Sequence, residues 1–195
     1  FALPINKRVY AYDAQGKRVG KFNLLRYARD AIDLIVVPIN GASVLDATIL
    51  QTNINDAFTQ ANYLFNVEVK PDWGFNYDGV DGNNGNIGLQ VSDPEFMDAL
   101  SVEMKAIRDA YFEQFPDAEK QASYLFVVPE FENEEQHGYN VIGKNIGFIK
   151  GGSEGRVYAH ELAHSFGLRH TFPEVDQGTT NNLLDYKELA SATHL

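Results

Sequence analysis

The eleven residues HELAHSFGLRH (160–170) constrain the fold more tightly than any other stretch of the chain. In an α-helix each residue turns about 100°, which places His160 and His164 about 40° from each other around the axis, one turn apart on one face. Glu161 falls on the same side, beyond His164. The opposite arc carries Tyr158, Leu162 and Phe166, flanked by Ala159 and Ala163. Such a helix packs its apolar side on a core and turns its polar side to a cleft. GGSEG, just upstream, offers Ser153 as N-cap, with Glu154 favourable at the positive helix end.

Gly167 decides where the third histidine goes. In an unbroken helix, His170 would be rotated about 200° from His164 and would point into the core. Glycine readily takes the left-handed conformation that ends a helix and redirects the chain. A break at Gly167 therefore lets His170 swing back as a third metal ligand beside His160 and His164. Three neutral imidazoles leave a fourth zinc position open for water, the arrangement of a catalytic rather than a structural site. Zinc lowers the pKa of such a water and polarises a substrate carbonyl. Glu161 stands where it can take the water's proton and pass it to a leaving amine. That chemistry is peptide-bond hydrolysis.

Composition narrows the alternatives. The 195 residues suffice for one domain with a sizeable core. A formal charge of −11 shows no basic footprint for nucleic acid. No apolar run reaches the length of a membrane span. The absence of cysteine excludes disulfides, thiolate nucleophiles and cysteine zinc sites. FALPINKRVY lacks the layout of a signal peptide, and a start on Phe suggests a matured or excised fragment whose export signal has been removed.

Along the chain, RVYAYDAQGKRVGKF reads as a hairpin turning at Asp13–Gly16, a possible N-terminal extension within residues 1–30. DLIVVPIN (33–40) and SYLFVVPEF (123–131) read as buried strands. NVEVKPDW (66–73) alternates as a strand, and VIGKNIGFIK (141–150) reads as one or two more. Leu50, Ile54, Ala57 and Ala61 mark a helix from Asp46 to about Asn66. Phe96, Leu100, Met104 and Ile107 mark another from about Pro94 to Phe115. With no internal repeat or clear linker, these elements make a single α+β domain over 1–195. YDGVDGNNGN (77–86) carries oxygen ligands enough to suggest Ca2+, but it fails the EF-hand pattern and reads better as a loop. His137 reads as a surface residue in an acidic loop, and His194 lies at the chain end.

At HELAHSFGLRH the chain resembles the metzincins, zinc peptidases with HExxHxxGxxH followed by a Met-turn. The resemblance implies zinc on His160, His164 and His170, with Glu161 as general base and acid. It also implies a twisted mixed sheet, mainly parallel, with two long helices and then a small C-terminal subdomain, here 171–195. NNLLDY (181–186) is similar to the bacterial Met-turn NLMDY, with Leu184 in place of the methionine that floors the metal. Leu approximates Met in volume, so zinc is expected to be retained. Tyr186 matches the tyrosine that reaches the metal or the oxyanion in astacin-like and serralysin-like members. Thr171, after the third histidine, matches none of the familiar subfamilies, which leaves the subfamily open. The resemblance further implies that a protein or peptide substrate lies along a sheet edge, for which Asn145–Lys150 is the candidate, with an interior strand the alternative.

The leading expectation is a secreted or extracytoplasmic zinc endopeptidase. A toxin or effector peptidase domain cut from a larger protein is a rival. A pseudo-peptidase that binds partners through the cleft is another, although Glu161 is intact. In a structural zinc module, Asp176 or Asp185 would close the site.

Overall fold

The computed structural model describes residues 5–26, 30–82, 87–92, 97–118, 121–171, 179 and 182–185. The chain builds an α+β fold in which a five-stranded mixed sheet is covered by helices on both faces. The N-terminal hairpin, β1 (Ile5–Tyr12) and β2 (Arg18–Arg26), forms a separate antiparallel pair. Its turn is closed by the Asp13 carboxylate, which accepts from the backbone N–H of Gln15 and Lys17.

The large sheet contains β3 (Asp30–Pro38), β4 (Tyr63–Val69), β5 (Ser123–Val128), β6 (Gly138–Asn140) and β7 (Ile146–Lys150). Its spatial order is β4-β3-β5-β7-β6. The first four strands run parallel, and only β6 runs antiparallel, beside β7. Parallel strands covered on both sides are apolar throughout. Accordingly, every residue of β5 is buried.

Alternation along the strands sorts the core into two halves. Leu34, Val36, Leu125, Val127 and Ile149 face α1 (Ala47–Phe58) and α3 (Gly155–Ser165). Ile35, Val37, Tyr124, Phe126 and Phe148 face α2 (Val102–Gln114), which contributes Met104, Ile107 and Tyr111. The histidine-bearing helix thus lies on the same face as α1, with Tyr158, Ala159, Leu162 and Ala163 in the shared core.

Two expected helix boundaries move, and the choice between edge and interior at Asn145–Lys150 falls to interior. The first helix begins as expected, with the Asp46 carboxylate accepting from Thr48 and Ile49 N–H, but it ends at Phe58 rather than near Asn66. A 3-10 turn (Thr59–Ala61) follows, and Asn62 takes a left-handed conformation that reverses the chain into β4. The second helix starts at Val102, where Ser101 caps the Met104 N–H. Met97 just before it has φ 49°, which no helix tolerates. Pro94 and Phe96 lie outside the described residues. Lastly, Asn145–Lys150 is not a sheet edge. Its strand, β7, pairs with β5 on one side and β6 on the other, which makes the three-residue β6 the edge next to α3.

The other edge, β4, is closed by side chains. Asn55 of α1 donates to the Phe65 carbonyl at 3.2 Å and accepts from its N–H at 2.7 Å. Gln51, one turn earlier, accepts from Val67 N–H at 2.9 Å. These bonds occupy backbone groups that an incoming strand would need. Among the described residues, no helix is long and apolar enough to cross a membrane.

Candidate metal centre

α3 starts after the β7–α3 loop, with Glu154 rather than Ser153 at the N-cap position and no side-chain cap bond. Ser153 is buried, and its hydroxyl finds no partner among the described residues. The helix closes in a Schellman arrangement. Leu168 N–H reaches the Ala163 carbonyl at 3.3 Å and Gly167 N–H reaches the His164 carbonyl at 2.9 Å, with Gly167 at φ 83°. This left-handed glycine is the break anticipated from the sequence, and it returns His170 to the face of His160 and His164.

The three Nε2 atoms form a nearly equilateral triangle. They are separated by 3.1 Å (His160–His164), 3.1 Å (His160–His170) and 3.2 Å (His164–His170). They lie close enough together to hold one metal ion, and they are the only such group of histidine, aspartate or glutamate among the described residues. No acidic group of that kind forms in the described part of the loop that raised calcium; residues 83–86 lie outside it.

Two backbone carbonyls fix the ring states. His160 Nδ1 lies 2.8 Å from the Leu183 carbonyl, and His164 Nδ1 lies 2.7 Å from the Leu168 carbonyl. A carbonyl only accepts, so each Nδ1 carries the proton, and each neutral ring presents a bare lone pair at Nε2. The Schellman turn therefore does two jobs: it redirects the chain to His170 and supplies the carbonyl that orients His164. Protonation offers no relief from the facing lone pairs. Burial, with repulsion from His164 next, pushes His160 down to about 3 and His170 down to about 4. Burial likewise lowers His164, against its bond to the Leu168 carbonyl. Lone pairs 3.1 Å apart with no proton between them are what a cation resolves.

Glu161 is 5% exposed, and burial alone drives its carboxyl well above the ordinary value. Its Oε2 has no hydrogen-bond partner among the described residues. The wall that buries it includes Gly138 of β6. Two further contacts tie this edge region to the helix: Asn140 Nδ2 donates to Ser165 Oγ at 2.8 Å, and Gly143 N–H donates to the His164 carbonyl at 2.8 Å.

Beneath His160 lies the turn Asn182–Asp185. Asn182 Oδ1 accepts from Leu184 N–H at 2.8 Å, and Asp185 N–H closes on the Asn182 carbonyl at 3.1 Å. Leu183 and Leu184 pack into the α1–α3 core. Asp185 is buried but does not join the histidine group. Tyr186 and Asp176 lie outside the described residues, as do most of 171–195 and His194. His137 is exposed. Sequence reasoning missed Gly138, Leu168 and Arg156, whose contributions come from a bare Cα, a carbonyl and a helix turn preceding the motif.

No family model matches the chain. No curated protein matches it. Among solved structures, a chain in the structure of a chaperone-substrate complex aligns with a TM-score of 0.49 at 16% identity, covering 90% of this chain and 27% of that chain. The present chain thus spans about a quarter of the length of that one.

Proposed function

We propose that the chain is a zinc-dependent endopeptidase of metzincin-like build, with His160, His164 and His170 as ligands and Glu161 as general base and acid. The observation that carries this reading is the set of three Nε2 atoms at 3.1–3.2 Å, on two buried histidines and the half-buried His170, the first two held as lone-pair donors by backbone carbonyls. Nitrogen ligands at 2.0–2.1 Å in tetrahedral array stand about 3.3–3.4 Å apart, so the triangle suits zinc with only a slight opening. Three protein ligands leave a fourth position for water or substrate.

Bound zinc supplies Lewis acidity and a water of lowered pKa. Glu161, one residue after the first ligand, accepts the proton of the attacking water. Its environment favours holding that proton until it can be passed to the leaving amine. β6 is the edge strand beside α3, and an extended peptide adding to it would run its scissile bond past the histidines. Asn55 and Gln51 take three outward backbone groups of β4, whereas on β6 the Gln136 side-chain amide takes the Gly138 carbonyl, so β6 is the less occupied edge and an incoming strand would displace Gln136. Tyr186 is proposed, by the resemblance alone, as a second group for the oxyanion.

The decisive experiment pairs metal analysis with cleavage of a peptide library by wild type and Glu161→Ala. Wild type is expected to hold one zinc per chain and to cleave; Glu161→Ala is expected to hold zinc and not cleave. Equal cleavage by the two proteins would remove the reading.

A further inference from the structure

The turn Asn182–Asp185 spends every one of its backbone carbonyls on tying the two limbs of the histidine site together. The Leu183 carbonyl accepts from His160. The Leu184 carbonyl accepts from the N–H of Thr171, the residue after His170, at 3.3 Å. The remaining two, at Asn182 and Asp185, both meet the guanidinium of Arg156. Its Nη2 donates to the Asp185 carbonyl at 3.0 Å and reaches the Asn182 carbonyl at 3.5 Å.

Arg156 stands four residues before His160, one turn earlier on the same helix face. Arg156 and His160 therefore grip the same four-residue turn from one rigid helix. The Leu183 carbonyl lies between the two that Arg156 holds, so fixing positions 182 and 185 fixes the direction in which 183 points. The turn's own bonds, from Leu184 N–H to Asn182 Oδ1 and from Asp185 N–H to the Asn182 carbonyl, set its internal shape, and Arg156 sets how that shape sits against α3.

We propose that Arg156 is a positioning residue for the metal site: its guanidinium clamps the 182–185 turn to α3, so that the Leu183 carbonyl holds His160 with its proton on Nδ1 and Nε2 free to ligate. The proposal rests on the zinc reading above in its choice of ion. Electrostatics alone would argue the reverse sign. A guanidinium one helix turn from a dication repels it, and Arg156 already disfavours positive charge on His160. The buried Asp185 carboxylate offsets part of that repulsion by acting on the same guanidinium. Removing Arg156 should therefore tighten metal binding if its charge is all that matters, and loosen it if positioning does.

The test titrates Zn2+ into the metal-free full chain against a competing chelator, for wild type, Arg156→Met, Arg156→Gln and Arg156→Lys. It also reads the His160 tautomer of the metal-free proteins from imidazole nitrogen shifts. The Met and Gln variants are expected to bind zinc about 10–100-fold more weakly. His160 in them should no longer be a single Nδ1–H tautomer, whereas Arg156→Lys recovers part of the affinity. Should Arg156→Met fail to fold, Arg156→Gln decides alone. Affinity equal to or above wild type, with an unchanged tautomer, overturns the proposal. A wild type with no zinc affinity overturns the peptidase reading too; a wild type that binds zinc beside unchanged variants removes only this role of Arg156.

Discussion

Gly138 of β6 lies so close over Glu161 that a Cβ at position 138 would stand 2.6 Å from Oε1 and 2.7 Å from Cγ. Contacts that short force a shift, and because Cγ is involved, rotating the carboxylate alone does not relieve them. Gly138→Ala is expected to displace Glu161 or the edge strand and to leave the three histidines in place. Misplacing a reacting group by about 1 Å costs about 100-fold in rate. On the proposed peptidase reading, peptide-cleavage kinetics should therefore fall by that order while zinc affinity stays near wild type. Wild-type turnover in Gly138→Ala would show that the Glu161 position seen here is not the working one.

Tyr158 carries another buried polar group. Its ring is fully buried between α1 and α3, and its hydroxyl has no partner among the described residues. Burial alone raises its pKa. Tyr158→Phe removes an unsatisfied hydroxyl and keeps the ring, a change worth from nothing to about 1 kcal/mol in favour of folding. In a chain of this size that is a rise in melting temperature of up to about 4 °C. A clear fall on calorimetry would mean that the hydroxyl bonds a buried water.

What was legible in the sequence follows from what each signal depends on. Helical periodicity is a local property, so the shared face of His160 and His164, and the apolar side of α3, could be read from spacing. Gly167 could be read because a left-handed residue has a chemical signature. The sheet edge could not be read so, because β6 has three residues and no alternation to display. Whether Asn145–Lys150 was edge or interior depended on a partner strand that approaches from the sequence preceding it. The helix starting at Val102 was misplaced because Phe96 and Leu100 happen to continue its apolar spacing, while Ser101 and the positive φ of Met97 set the true start. Arg156 was invisible as a site residue because its partners are carbonyls nearly thirty residues away.

The buried titratable groups give the metal-free protein opposed pH dependences. The folded-state values of His160 and His170, about 3 and about 4, lie below that of a free imidazole. The folded protein therefore binds fewer protons than the unfolded one, and this stability is present above pH ~6.5 and lost as pH falls toward those values. Glu161 is raised, so its contribution is present below about pH 4.5 and lost as pH rises toward its folded-state value. Glu161→Gln removes the second dependence and keeps the first. Calorimetry of chelator-treated proteins should show the variant's advantage over wild type growing as pH rises above about 4.5, with both proteins weakening as pH falls below about 6.5. An offset that does not vary with pH would mean that Glu161 reaches solvent or a partner in solution.

Asn55 holds the β4 edge of the sheet that carries the site. Its side chain satisfies both the N–H and the carbonyl of Phe65 on the β4 edge, whereas Gln51 satisfies a single N–H. Asn55→Ala leaves two backbone groups without their partners at a partly buried edge, at a cost of about 1–3 kcal/mol. Gln51→Ala should cost less, since one bond is lost. The same change also reopens an edge to pairing between chains, so Asn55→Ala should self-associate in a concentration-dependent way that Gln51→Ala shows more weakly. Because β4 lies at the far side of the sheet from β6, zinc affinity and cleavage measured well below the melting temperature should be unaffected. Sedimentation, calorimetry and peptide cleavage on the two variants separate these effects. A loss of cleavage without loss of stability would contradict the proposal that substrate lies along β6 rather than β4.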